Sequence, residues 1–254
     1  MEKKKVIYTC VVDGYDNVQQ PEAIDETFDY ICFSDDTSCR KNGVWDIRPI
    51  PFSHDSKVYV SRYPKILPHV VLPEYDYSVY LDANIQIAGR EFYSVINSFI
   101  ANDCLVAQVP HCIPPVDCIY DDIGFAYKLN KVTLGQVLRH ARHLRKNHFP
   151  AHFGLFENNV ILRRHNDAKV MAMSEMWWSE FMSYIPRDQF SLMYVYWKSN
   201  FMPPLLFGEN VCARNAPFLN YSLHLNEIDR RPSLMKKLEW RWYYYSYPVV
   251  RLFI

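Results

Sequence analysis

YSVYLDANIQI, residues 77–87, decides how this chain is read. Tyr77–Leu81 is apolar apart from one serine and lacks the polar alternation of a half-exposed strand. Such a run belongs in a sheet covered on both faces. Asp82 follows at the strand tip, Asn84 comes two residues later, and Ile85–Ile87 continues as an extended piece. If the backbone stays extended through the triplet, the two side chains point to the same side. Mg2+ and Mn2+ prefer oxygen donors of this kind. The plain alternative is that Asp82 caps a strand-end turn, because such triplets are common.

The same pattern recurs outward from this segment. Val6–Val12 reads as a buried strand ending in the turn Asp13-Gly14, and Phe28–Phe33 as another ending at Ser34-Asp35-Asp36. Trp45–Ile50 is a third, stopped by Pro51. Ser56–Leu67 has helical spacing, with Arg62 and Lys65 between its apolar positions and Pro64 as an expected break or kink. Glu91–Ile100 reads as a helix and Cys104–Val109 as a strand. Residues 114–150 are mainly helical, and Phe153–Leu162 is a strand pair or one strand after a bend. Ala168–Tyr184 and Asp188–Trp197 read as helices, and Pro203–Leu225 as irregular with short strands. Strands alternating with helices give an α/β layer structure. Ligands of open α/β sheets sit at the carboxyl ends of the strands. Asp13, Asp35, Asp36 and Asp82 all fall there and would form a polar mouth.

A chain of 254 residues fits one large domain, or one with a small appendage. With 49% hydrophobic residues it fills a globular core, and aromatics at 16% predict a ring-rich core or groove. The 28 basic and 28 acidic residues balance, which argues against a polyanionic partner such as duplex DNA. The seven cysteines are odd in number and form no C-x-x-C pair, so neither a zinc ribbon nor a disulfide framework is expected. A reducing cytoplasm fits best, with peripheral contact at the inner face of the membrane as an open addition. MEKKKVIYTC does not read as a signal peptide, and no window approaches a membrane span.

Together these segments resemble glycosyltransferases of the A-type fold. YSVYLDANIQI is similar to their D-x-D strand, YTCVVDGYD (8–16) to the first nucleotide-binding strand and loop, and SRYPKILPH (61–69) to the basic helix before D-x-D. FGLFENNVILRRHND (153–167) resembles the later strand carrying acceptor and donor contacts, and RDQFSLMYVYWK (187–198) the helix opening on an Asp-Gln pair. The chain is thereby identified with the "domain of unknown function 616" glycosyltransferase-like family, and more distantly with glycosyltransferase family eight, over roughly residues 5–225. The resemblance implies a GT-A-like (Rossmann-like) α/β fold, with a mixed, mainly parallel sheet flanked by helices. It implies a catalytic domain over 1–230 and a basic, aromatic helical tail over 231–254. It also implies a nucleoside-diphosphate sugar donor, UDP-sugar by default, and a metal-dependent hexosyltransferase-like activity. Mn2+ or Mg2+ would bridge the diphosphate and neutralise charge on it as the sugar leaves. Asp82 and Asn84 would be metal ligands. Asn84 departs from the second acid of the motif and holds a cation less strongly. His224, by its late position, would be the third ligand, with a packed imidazole as the alternative.

Around this motif, Asp13 would accept from base or ribose and Thr9 would help to hold the base, against simple turn chemistry at Asp13-Gly14. Arg62 and Lys65 would clamp the diphosphate, or else lie on a solvated helix face. A helix-start Asp188 is often only a cap; the resemblance instead places Asp188 and Gln189 beside the transferred sugar as catalytic residues. Glu157, Asn158 and Asn159 interrupt an apolar region, which sugar binding and a loop between two strands explain equally well. HCIPPVDCIYDD (111–122) would shape an acceptor site. LRHARHLRKNHFPAH (138–152) reads as a cationic or plainly solvated surface. The tail LMKKLEWRWYYYSYPVVRLFI (234–254) suits either a membrane interface or packing on the main domain. The acceptor would be a glycan or lipid-linked saccharide, in surface polysaccharide synthesis. The competing functions are a metal-dependent hydrolase acting on a lipid amide and a catalytically silent sugar-binding module.

Overall fold

The computed structural model describes residues 3–112, 116–223 and 234–254. In chain order its elements are β1 (Lys5–Val11), β2 (Phe28–Ser34), β3 (Lys41–Asn42), β4 (Trp45–Pro49), α1 (Lys57–Ile66), α2 (Pro68–Val71), β5 (Tyr77–Leu81) and β6 (Ile85–Ile87). They continue with α3 (Glu91–Ala101), β7 (Val106–Pro110), α4 (Ile119–Lys128), α5 (Leu134–Lys146), β8 (Phe156–Arg163), α6 (Ala168–Ser183), α7 (Asp188–Lys198), β9 (Leu219–Tyr221) and α8 (Leu234–Arg251).

The main sheet runs β3-β4-β2-β1-β5-β8-β7, and β6 pairs with β9 in a separate ribbon. Strands β4, β2, β1 and β5 are mutually parallel, whereas β8 is antiparallel to both β5 and β7. This is the mixed, mainly parallel α/β sheet expected from the sequence. The apolar strands bury both faces. Val6, Tyr8, Tyr80 and Ile161 join one core, with Trp177, Phe181 and Phe190 from α6 and α7. Ile7, Val79, Leu81 and Leu162 join the other, with Phe92 and Ile96 from α3. Each fully buried Val, Leu or Ile contributes about 1.5–3 kcal/mol, so both faces carry folding energy.

Phe156–Arg163 is one continuous strand following a bend, with a register shift opposite Gln108 and Val109. Its reversed direction has a consequence for the site. The polar start of β8, Glu157-Asn158-Asn159, lies at the carboxyl edge of the parallel strands, where Leu81 pairs with Val160. The Asp82 amide donates to the Asn159 carbonyl at 2.9 Å.

Three expectations are corrected. Pro64 does not break α1, which runs on to Ile66; the Leu67 amide reaches the Tyr63 carbonyl at 3.0 Å, and Pro68 opens α2. A proline at the first position of a helix loses no intrahelical bond. The second correction concerns residues 138–152, which are not a uniform cationic surface. α5 starts with a Thr133–Gln136 capping box and turns His140 into the core at 1% exposure, leaving Arg139, Arg142 and Arg145 outside. Burial pushes the His140 imidazole down to about 3, so it stays neutral. The third is at Asp82-Ala83-Asn84, which turns instead of staying extended, as the Ile85 amide donates to the Asp82 carbonyl at 3.0 Å.

The tail helix α8 packs on α4. Tyr127 and Ser246 share a hydroxyl hydrogen bond of 2.9 Å, Val250 is buried, and a Cβ at Gly124 would come within 2.9 Å of the Tyr247 ring. The opposite face leaves Trp242, Tyr245 and Leu252 exposed. Among the described residues no helix is long and apolar enough to cross a membrane.

Trp177 couples α6 to α7, since its indole N–H donates to the Asp188 carbonyl at 3.0 Å and to Ser191 Oγ at 3.1 Å. Trp177→Ala is expected to lower stability by about 3–5 kcal/mol. The measure is a fall in the urea midpoint with little change in slope.

Candidate active site

The carboxyl edges of β1 and β5 open onto two adjoining clefts of about 280 and 300 Å3, which share Tyr15, Arg62 and Asp82. The first has Cys10, Val12 and Asp13 from the end of β1 and its turn. That turn is tight: Asp13 and Gly14 both have φ of 59°, and the Asp13 amide donates to the Asp35 carboxylate, which Lys57 pairs at 3.0 Å. The second cleft is polar, with Lys65, Glu157, Asn158, Asn159, Asp188 and Gln189 among its walls.

Between the clefts sits a charge cluster. Lys65 Nζ lies 2.6 Å from Asp188 Oδ2, 3.5 Å from Asp82 Oδ1 and 4.6 Å from the centre of the Tyr80 ring. Arg62 Nε lies 3.7 Å from Asp188 Oδ1. The Lys65 side chain is 3% exposed, so its charge depends on these neighbours. Burial opposes ionisation of Asp188, but the Lys65 and Arg62 cations outweigh it and hold the carboxyl well below the usual range. Burial also opposes charge on Arg62, yet Asp188, Tyr80 and Asp82 together keep it firmly protonated. Burial, and then the Asp82 charge, pushes the Tyr80 phenol far above its ordinary value.

The cluster is braced from below. Arg163, 3% exposed, donates to the Lys65 carbonyl at 2.5 Å and to the Tyr8 hydroxyl at 2.6 Å, fixing the end of α1 against the sheet. Sequence reasoning missed Arg163, and nothing in VILRRH distinguishes it from the exposed Arg164 beside it. Arg214, also missed, pairs with Glu157, whose other oxygen accepts from Asn159 at 2.7 Å. Asn158 accepts from Gln108 at 2.9 Å, and its amide nitrogen is buried without a partner.

The structure therefore gathers Arg62, Lys65, Asp82, Asn158, Asp188 and Gln189 around one opening, with Asp13 at its rim. Thr9 is not brought there. It is 1% exposed inside the sheet, opposite Cys32. Asn84 is 2% exposed and tied to Ser222: its amide donates to the Ser222 carbonyl at 2.6 Å, and its own carbonyl accepts from the Ser222 amide at 3.0 Å. Its Oδ1 remains buried without a hydrogen-bond partner. His224, the expected third metal ligand, lies outside the described residues. Among the described residues no group of three or more His, Cys, Asp or Glu could hold a metal ion. The Asp82 carboxylate nevertheless fits a hard divalent cation in donor type, whereas Asn84 lines neither cleft.

Residues 1–219 match the model of a family described as "TOD1/MUCI70, glycosyltransferase-like domain". The chain belongs to this family. No curated protein matches the sequence significantly. Among solved structures, the bifunctional glycosyltransferase WbbM, in its apo form, is 10% identical with a TM-score of 0.46. The match covers 81% of this chain and 39% of that one, so the chain spans well under half of WbbM. Mouse xyloside xylosyltransferase 1, apo form, is 11% identical with a TM-score of 0.37, over 82% of this chain and 79% of that one. The glycosyltransferase-like family expected from the sequence motifs is thus the one found.

In this TOD1/MUCI70 domain, Asp188 is the counter-charge of a buried lysine. Asp188→Asn at neutral pH is expected to destabilise the fold by about 3–5 kcal/mol, as for a buried pair broken on one side. Because the folded-state value is depressed, the contribution is complete above the unfolded carboxyl value of about 3.9 and is lost as pH falls below it. Urea unfolding of wild type and variant should therefore differ most near neutrality and converge in strong acid.

Proposed function

We propose that the chain transfers a sugar from a nucleoside-diphosphate sugar, most simply a UDP-sugar, to a saccharide hydroxyl. The carrying observation is the Asp82–Lys65–Asp188–Arg62 cluster, set at strand ends between one cleft of mixed lining and one polar cleft. Val12, Tyr15 and Tyr80 offer surface to a nucleobase, and Asp13 offers a carboxylate to base or ribose. Arg62 and Lys65 face the position of the diphosphate, where fixed cations stabilise the charge that grows as the sugar–phosphate bond breaks. Asp82 would hold a divalent cation, which supplies further neutralisation of the diphosphate. Asp188 stays ionised and accepts from sugar hydroxyls. Gln189 and Asn158 bring amide groups to the same cleft, where their buried nitrogens lack partners. Cys10 is no competing nucleophile, since burial pushes its thiol far up.

The acceptor in this proposal is a glycan or lipid-linked saccharide, in surface polysaccharide synthesis. The exposed rings of Trp242 and Tyr245 on α8 favour peripheral contact with a membrane carrying such an acceptor.

Incubation with a panel of nucleotide sugars and Mn2+ is expected to show slow release of free sugar and nucleotide. Asp82→Ala should reduce it by about 100-fold or more, the scale of losing one transition-state stabiliser, and chelation of the metal should slow the wild type. Equal turnover by Asp82→Ala would refute the assignment.

A further inference from the structure

A third cavity, of about 410 Å3, adjoins the polar cleft and shares His111, Lys131, Arg187, Gln189 and Arg214 with it. Its volume is that of a small-molecule site. One wall is apolar, from Phe125, Ala126 and Leu129, and α8 closes the far side with Tyr247 and Arg251. Among the described residues its charged lining is Lys131, Arg187, Arg214 and Arg251 with Asp121 and Asp122. Arg251 pairs with Asp121 at 3.6 Å, and Arg214 pairs with Glu157 at the seam with the polar cleft. There Arg187 Nε and Gln189 Nε2 are both buried without a hydrogen-bond acceptor. Unmatched buried donors are unfavourable, and a ligand oxygen would relieve both. Burial raises the Asp122 carboxyl, against the pull of Arg187, His111 and Lys131.

We infer that this cavity seats an acceptor saccharide carrying an anionic group, a carboxylate or a phosphate, held at the seam by Arg187 with Gln189 beside it. The guanidinium fork of Arg187 suits either group. The inference rests on the transferase reading, because the seam directs a bound sugar hydroxyl toward the cleft assigned to the donor. It adds a charge requirement to the acceptor that the donor site does not impose.

The test is calorimetric titration of the full chain, saturated with UDP, using methyl glucuronide, glucose 6-phosphate and methyl glucoside. At least one anionic probe should bind about tenfold or more tighter than the neutral glucoside, with an advantage that shrinks in salt. The tighter of the two distinguishes carboxylate from phosphate. Arg187→Gln should weaken the anionic probe severalfold, and Asp122→Asn should strengthen it, while thermal unfolding confirms that both variants fold. UDP binding is measured separately. If UDP binds but the three sugars bind alike or not at all, or if neither charge change alters the anionic probe, the inference is overturned and the transferase reading survives. If anionic probes bind a chain that does not bind UDP, the transferase reading fails and the acceptor role with it, leaving the cavity as an anion site. Failure of both overturns both.

Discussion

A lysine ammonium with almost no access to solvent must be compensated by its surroundings, and the architecture of this molecule is organised around that requirement at Lys65. Two carboxylates and a tyrosine face surround it, and Arg62 shares Asp188 with it. β5 delivers Asp82 and Tyr80, α7 opens on Asp188, and α1 carries both Arg62 and Lys65. The alignment of sheet and helices is therefore tied to charge neutrality at one point. A buried ion pair is not in itself a large source of stability, since desolvation offsets attraction. Its effect here is positional: three elements must meet in one arrangement, and that arrangement leaves a charged opening at the sheet edge.

The sheet direction completes this opening. Parallel strands alone would bring only their carboxyl termini. Because β8 runs the other way, it adds its own beginning, and with it Glu157, Asn158 and Asn159. A polar triplet that would be costly inside a strand is tolerable here because Arg214, Gln108 and the cleft satisfy much of it.

Much of this was legible in the sequence, for identifiable reasons. β1, β2 and β5 are short, apolar throughout and followed by acids, so both their type and their functional ends could be read. Arg62 and Lys65, left open between a clamp and a solvated face, and the Asp-Gln pair singled out by the resemblance, line the polar cleft in the structure. What failed depended on backbone paths that local sequence does not encode. Asp82 and Asn84 part because the chain turns between them, and Thr9 lies within β1, opposite Cys32, on a face of the sheet that is covered. The two histidines at 140 and 143 share a helix with many cations, yet the apolar stripe of Val137, Ala141 and Leu144 draws His140 into the core. Arg163 was invisible for a related reason: which of two adjacent arginines turns inward follows from strand register.

The seating of α8 on α4 bears on how the molecule can be handled. Tyr247 rests where only Gly124 leaves room, and the Ile254 carbonyl accepts from Arg145 at 2.5 Å. An affinity tag fused directly after Ile254, or a shortened version ending near residue 230, would disturb a helix that walls a cavity. Engineered fusions are better placed at the opposite terminus, where Lys3 and Lys4 lie on the outer rim of the sheet, away from the clefts.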